Sequence, residues 1–543
     1  KKMHIDKFPK LENTISAAYD YVYDKKVLPS MRSLQFGGKA IEVNPVRLFN
    51  CAYLPIDHYK AFSETMFLLL SGTGVGYSVQ EHDISQLPAI YRSDRNKKYL
   101  ISDNIEGWAD AIKLLMKSYL GLGNWKPRFD YRAIRAKGER LITSGGVAPG
   151  PEPLKICLTH IEAILDRKKD GEKLTSIDCH DILCHIADAV LSGGIRRSAM
   201  ISLFDLNDQE MLTCKFGDWW ELNPQRGRAN NSAVINRGSV NKEEFLSLWK
   251  KVELSNSGEP GVYFTNDVTL GTNPCCEISL NPFQFCNLVE INASDIKDQR
   301  DLEIRSWAAA IIGTLQASYT DFHYLRPEWK KTTEAEALLG IGMTGIASGT
   351  VESLDLEEAA KMAVDTNVEF SAILGINRAA RVTCVKPSGT TSLVIGTSSG
   401  IHAWHDKYYV RRVRLGKNEA IYTYLSIRHP ELLEDCALYP EKQSIVSIPQ
   451  MAPQGAVTRW SEDAIGFLGR IKDFHKRWIN PGHVYGSNTH NVSATVTVKG
   501  DEWESVGEWM WQNKIVLMVY LSCQRVLVAT SRPHLNLSGK KTT

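Results

Sequence analysis

The sequence predicts an α/β protein with much parallel sheet. Three observations carry that prediction: helical periodicity alternates with short β-branched segments, glycine-rich turns separate the two, and no repeat, low-complexity tract or linker interrupts the alternation. The 543 residues therefore read as one large catalytic unit.

Apolar residues at three- and four-residue spacing mark amphipathic helices at 11–26 (LENTISAAYDYVYDKK) and 103–120 (DNIEGWADAIKLLMKSYL). The same pattern recurs at 158–168, 180–191, 242–254, 303–318, 355–369 and 459–478. Between these lie AMISLF, SAVIN, GVYFT, CNLVEI, RVTCVKP and NVSATVTV, the near-continuous apolar runs of strands covered on both faces. Glycine-rich turns fall at 71–76, 143–153, 191–199 and 386–400.

Lys plus Arg (64) nearly balances Asp plus Glu (62), so no basic surface for nucleic acid or acidic lipid is expected. The opening KKMHIDKFPK has no apolar segment behind it, and MFLLLSGTGVGYSV is broken by glycines; a cytoplasmic protein without a membrane span is expected. Eleven cysteines without CxxC pairs fit a reducing compartment. DCHDILCH (Asp178 to His185) has the letters of a metal site but lies on a helical pattern with no second ligand cluster, so no metal site is assigned to it.

The chemistry concentrates in GTNPCCEISL, Gly271 to Leu280. In an extended segment Asn273, Cys275 and Glu277 share a face, and Pro274 argues against a helix. A carboxylate beside a thiol raises its pKa, which disfavours a nucleophilic thiolate and suits a protonated S–H that exchanges a hydrogen atom. Core packing for Cys275 and Cys276, with a solvated Glu277, is the other reading of these letters. Cys286 in FQFCNLVEI and Cys51 in RLFNCAYLPI also sit in apolar segments, and spacing alone leaves open whether they meet.

These residues carry a resemblance. The stretches LPSMRSLQFGGKA, FNCAYLPIDHYKAFSETMFLLLSGTGVGYSV, LITSGGVAPGPEP, HDILCHIADAVLSGGIRRSAMISLFDL, NPQRGRANNSAV, GTNPCCEISL, CVKPSGTTSLVIGTSSGIHAWH and SNTHNVSATVTVKGDEWESVGEWMWQN run in order from about residue 28 to 514. The chain resembles the catalytic subunit of ribonucleotide reductases, most closely the adenosylcobalamin-dependent class II branch that reduces ribonucleoside triphosphates. The resemblance implies a ten-stranded α/β barrel with a central finger loop. Cys275 would be the thiyl radical site, Glu277 the base on the ribose 3′ hydroxyl, and Asn273 a hydrogen-bond partner of the substrate hydroxyls. Cys51 and Cys286 would supply the reducing electrons and close into a disulfide.

The same resemblance assigns substrate-phosphate contacts to Ser71, Gly72, Gly74 and Gly76 and to Pro387, Ser388, Gly389, Thr390 and Thr391, where backbone N–H groups approach an anion. It places effector and specificity loops at Arg135, Gly145 and Gly146 and at Gly193, Gly194, Arg196, Arg197 and Ser198. Adenosylcobalamin is the implied cofactor. A deoxynucleotide effector, a thioredoxin-like or small-thiol reductant and a monomeric state follow in the same way. The alternatives are a class I subunit with a separate radical-generating partner, for which Tyr408 and Tyr409 stand outside the expected context, and an inactive nucleotide-binding relic. Cys276 departs from the family's single finger-loop cysteine and receives no role.

The resemblance stops after WMWQNK, and the chain begins within the family's helical region with no room for an ATP-cone domain. Family members continue with a segment like FNGLSVLP, then a tyrosine and an APFE-like stretch; here the chain reads IVLMVYLSCQRVLVATSRPHLNLSGKKTT. The last base of each codon joined to the first two of the next gives glycine at Met518–Val519 and permits Leu, Ser, Val, Leu and Pro from Val519 through Gln524. Ala529–Thr530 permits Tyr, and Ser531 to Asn536 permit Gln, Ala, Pro, Phe and Glu. Residues 515–543 are therefore read as an out-of-frame tail after residues 1–514, lacking the family's C-terminal cysteine pair and a native barrel strand; Cys523 receives no role. A divergent tail is the competing reading. Sequencing the gene decides between them: a single-base insertion near codon 515 should restore the family segment, and failure to restore it overturns the frame-shift reading.

Overall fold

The computed structural model describes residues 1–141, 147–191, 199–255, 257–437, 439–517 and 519–524. Five strands, β1 (Cys51–Pro55), β2 (Gly74–Ser78), β3 (Met200–Asp205), β4 (Ala229–Asn236) and β5 (Gly261–Thr265), pair in that order, every pair parallel. Parallel neighbours require crossovers, supplied by helices such as Tyr59–Ser71 between β1 and β2 and Ser176–Leu191 ahead of β3.

A second parallel half follows. β6 (Leu288–Asn292) pairs with β7 (Gly340–Thr344), with helix Gln299–Ala317 as crossover. Single bridges continue the order from Ile341 to Thr383 and from Val385 to Val492, just ahead of β8 (Thr495–Val498), which pairs with β9 (Val519–Gln524). The halves join antiparallel at both seams: β9 on β5, and Gln284–Phe285, immediately before β6, on β1. The ring closes as a barrel of two five-stranded halves, the architecture expected.

The alternation along each strand divides the apolar residues between two cores. Ala52, Leu54, Val75, Tyr77, Met200, Phe204, Ala233, Ile235, Val289 and Ile291 pack outward against the helices. Cys51, Tyr53, Ile201, Leu203, Val234, Tyr263, Leu288 and the further thiols Cys276, Cys286 and Cys384 fill the interior.

Most predicted helices form, with shifted ends. The 158–168 helix starts at Glu152, because Pro151 is tolerated ahead of the first turn, and the 459–478 helix starts at Ala464, where Asp463 Oδ1 accepts from Gly466 N at 2.7 Å. RVTCVKP makes isolated bridges instead of a continuous ladder. The hairpin Tyr408–Gly416 with Gln443–Met451 was not among the predicted strands. No helix among the described residues is long and apolar enough to cross a membrane.

The tail brings a correction. Val519–Gln524 was expected to form no rationalisable strand, yet its backbone lies between β5 and β8 and pairs with both. Ladder hydrogen bonds use only backbone groups, so a β-prone segment in either reading frame can fill this position. Residues 525–543 lie outside the described residues.

The interior must also leave space. A Cβ at Gly76 would lie 1.9 Å from Thr272 O, and one at Gly271 would lie 2.2 Å from the Tyr53 ring. Gly76→Ala should lower stability by about 1–3 kcal/mol, the usual range for overpacking, as read by chemical denaturation; an unchanged midpoint would contradict the close contact.

Candidate active site

The segment Gly271 to Leu280 enters the barrel as a hairpin. Its stem is the antiparallel pair Gly271–Thr272 with Ser279–Leu280. Its tip is a turn, closed by Cys276 N donating to Asn273 O at 2.8 Å, with Pro274 and Cys275 at the corner and Cys276 at φ 64°. This corrects the expectation of an extended strand: Asn273, Cys275 and Glu277 converge because the chain reverses around them.

Each contact on the hairpin has a physical cause. Tyr263 Oη donates to Leu270 O and Gly271 O at 3.2 Å each. His490 Nδ1 accepts from Ser279 N at 3.2 Å, so its Nε2 must carry the proton it donates to Leu339 O at 2.7 Å. Burial, followed by Arg381, holds this imidazole neutral. Asn491 N donates to Glu277 O and Asn491 Nδ2 to Cys276 O, both at 3.0 Å, while Ser493 Oγ donates to Cys275 O at 2.5 Å. Gly74 completes the seat: a Cβ there would meet Cys51 Sγ at 3.3 Å and Pro274 Cγ at 3.4 Å.

The tip therefore meets the two distant cysteines. Cys286 N donates to Cys51 O at 2.9 Å, and Cys51 N is 3.0 Å from Cys286 Sγ, so the two lie side by side across the β1 seam. The Cys51 thiol also lies close to that of Cys275. That contact, then burial and the Glu277 charge, pushes the Cys275 thiol well above its ordinary range. For Cys51 the contact with Cys275 pulls downward, but the Cys286 contact and burial outweigh it. Of the ten cysteines whose side chains are described, Cys275 alone is not buried, and it faces a cavity of about 220 Å³.

Asn273 and Glu277 are fully buried. Asn273 Oδ1 accepts from Ile278 N at 3.1 Å, whereas its Nδ2 and both Glu277 oxygens face one another without a well-formed hydrogen bond. Burial raises the Glu277 pKa, and Lys386 opposes it most strongly.

The glycine-rich turns divide. At 71–76 the N–H groups of Gly72, Thr73, Gly74 and Val75 donate to Leu69, Leu68, Asn50 and Ala199 carbonyls, and Ser71 Oγ accepts from Asn44 Nδ2 at 3.2 Å. The expected cradle of free N–H groups is thus corrected for this stretch: Gly74 and Gly76 make room for the finger instead. Pro387 and Ser388 precede the short helix Gly389–Ile395, where Gly389 and Thr390 are exposed while Ser388 and Thr391 are buried. Arg135 pairs with Asp103 at 2.6 Å on the wall of a cavity of about 1100 Å³. Gly145, Gly146, Gly193, Gly194, Arg196, Arg197 and Ser198 lie outside the described residues. In DCHDILCH, His180 Nδ1 bonds Tyr77 Oη at 2.7 Å inside the core.

The sequence reading gave no role to Glu290, Lys386, His490, Asn491 or Ser493. One signal was legible, a glutamate inside the apolar strand CNLVEI.

The fold is that of a class II ribonucleotide reductase. A crystal structure of a B12-dependent class II enzyme superposes with a TM-score of 0.78 at 20% identity, covering 94% of this chain and 83% of that one. The chain is also similar in sequence to the probable adenosylcobalamin-dependent ribonucleoside-triphosphate reductase of Dictyostelium discoideum, 28% identical over 459 residues, 75% of this chain and 59% of the relative. The Euglena gracilis adenosylcobalamin-dependent ribonucleoside-triphosphate reductase is 28% identical over 517 residues, 88% of this chain and 67% of the relative. The chain thus spans about three fifths to two thirds of the length of these relatives. No family-level sequence model matches it.

Mild oxidation should close Cys51 and Cys286 into a disulfide, read as the loss of two free thiols. Cys286→Ser should abolish that loss, and an unchanged loss in the variant would place the oxidisable pair elsewhere.

Proposed function

We propose that the chain is a ribonucleotide reductase of the adenosylcobalamin-dependent, triphosphate-reducing kind. The observation that carries the proposal is the finger tip. Asn273 Nδ2 and the Glu277 carboxylate are buried without well-formed partners, beside three clustered thiols, of which only Cys275 is not buried. Unpaired buried polar groups are costly, and ribose hydroxyls would satisfy them.

In this reading Cys275, as a thiyl radical, takes the hydrogen atom from the ribose 3′ carbon and returns it at the end of the turnover, while Glu277 accepts the 3′ hydroxyl proton. Cys51 and Cys286 give two electrons and two protons. The 2′ C–O bond breaks, the hydroxyl leaves as water, a C–H bond replaces it, and one disulfide forms. Thiols held protonated suit hydrogen-atom chemistry, since a thiolate has no hydrogen atom to exchange.

The residues around Cys275 fit a large cofactor. Pro387 and Thr495 border both its small cavity and a second of about 750 Å³ lined by His402, Trp404, Tyr409, Arg411 and Phe467, an aromatic and cationic wall on the side where the thiol is reached. Those side chains would hold adenosylcobalamin, which when bound supplies a radical by homolysis of its cobalt–carbon bond. Pro387 to Thr391 would take the substrate phosphates at the exposed helix start, and the Arg135 cavity a deoxynucleotide effector. A thioredoxin-like or small-thiol reductant would reopen the disulfide, and the chain would act as a monomer.

The test mixes the purified chain with adenosylcobalamin, a ribonucleoside triphosphate, a deoxynucleotide effector and dithiothreitol. Deoxynucleotide formation should require the cobalamin and fall to background in Cys275→Ser. Formation that survives the substitution, or no formation even from a frame-restored chain, would overturn the reading.

A further inference from the structure

β6 carries a glutamate where an apolar side chain would pack. Glu290 alternates with the outward Val289 and Ile291, so its side chain points inward, and it is 3% exposed. Its slot exists because its neighbour on β7 is Gly342, where a Cβ would lie 2.2 Å from Oε1. Packing does not explain a group that must be desolvated and needs a glycine opposite it. Its partner does: Ser388 Oγ donates to Glu290 Oε2 at 2.5 Å.

The backbone of Ser388 is left-handed, with φ 35° and ψ 40°, a region that favours glycine. Ser388 stands directly ahead of helix Gly389–Ile395, yet its hydroxyl makes no hydrogen bond to that helix and goes to Glu290 instead. Without the Glu290 bond the left-handed conformation would keep its cost and lose its restraint, so a serine there would relax to negative φ.

The chain on either side of this turn borders the site. Upstream, Val385 is fixed to the segment that grips the finger, Val385 N donating to Asn491 O at 3.1 Å and Ser493 N to Val385 O at 2.9 Å. Pro387 lines both the Cys275 cavity and the cavity of about 750 Å³. Downstream, Gly389 and Thr390 are exposed. Rotation at Ser388 would swing these two parts relative to each other, so the orientation of Gly389 to Thr391 against the Pro387 wall depends on one backbone angle.

We propose that Glu290 is a positioning residue: through its hydrogen bond to Ser388 it locks the left-handed turn that sets Gly389 to Thr391 against the wall at Pro387, and so presents this stretch to the substrate phosphates. Glu290 touches neither substrate nor cofactor in this role. It acts from the barrel interior on a stretch whose own residues are small and exposed, and which has no other side-chain anchor at Ser388.

The proposal rests on reading Pro387 to Thr391 as the substrate-phosphate stretch, so one arm of its test needs no substrate. Hydrogen exchange of the full chain follows the amides of Ser388 to Thr391, and equilibrium dialysis follows binding of a ribonucleoside triphosphate. Glu290→Leu should speed the exchange and weaken the binding, each by about 5–30-fold, the population cost of a left-handed backbone at a residue other than glycine. Glu290→Gln, which keeps an oxygen acceptor, should stay close to the parent chain. Glu290→Leu/Ser388→Gly should recover both readouts, because glycine adopts the left-handed turn unaided; a general loss of packing would not be repaired by glycine. In turnover, KM for the triphosphate should rise in Glu290→Leu with kcat unchanged. If Glu290→Leu fails to fold, Ser388→Ala breaks the same bond and should shift both readouts the same way, with Ser388→Gly shifted less. Unmoved exchange, or a glycine variant as impaired as Glu290→Leu, overturns the proposal. Exchange that moves and recovers while triphosphate binding stays constant would support the lock on Ser388 and overturn the phosphate reading of this stretch.

Discussion

A hairpin runs through the inside of a closed barrel, and the rest of the structure depends on satisfying its backbone there. No water-filled edge takes up stray N–H and C=O groups in such a place. The finger answers with contacts from both halves: Tyr263 from β5, Asn491 and Ser493 beside the Val385–Val492 bridge, and His490 tied to Leu339. Glycines at 74, 76 and 271 give up side chains so that two backbones can approach. The polar anchors and the missing side chains are one arrangement.

That arrangement sets the chemistry. A tip held in a poorly solvated interior keeps its thiols protonated: at Cys275 the Cys51 contact, burial and Glu277 all disfavour the thiolate, and at Cys51 the Cys286 contact and burial outweigh the downward pull of Cys275. The same burial raises the pKa of both Glu277 and Glu290, and Lys386 opposes it at each. The interior therefore favours transfer of hydrogen atoms and single protons over nucleophilic attack.

Two cores serve different ends. The outer one, between strands and helices, is large and apolar and makes the barrel stable; the inner one is smaller and sets four buried thiols among Tyr, Ile, Leu and Val side chains. A strand such as LVEIN contributes Val289 and Ile291 to the first and Leu288 and Glu290 to the interior. The strand Val519–Gln524 shows the limit of such reasoning, since a ladder is indifferent to side chains and accepts any segment that extends.

The sequence by itself determined the α/β class, the order of most helices and strands, and the ordered motifs that placed Cys51, Asn273, Cys275, Glu277 and Cys286 in one reaction. Local periodicity suffices for the class and the element order; that those five residues belong together came only from the resemblance the ordered motifs carry. The turn at the finger tip, the meeting of Cys51 with Cys286 and the use of Gly74 and Gly76 as clearance belong to the tertiary structure. These depend on which strands become neighbours when the two halves close, and residues separated by a hundred positions carry no local signal of meeting.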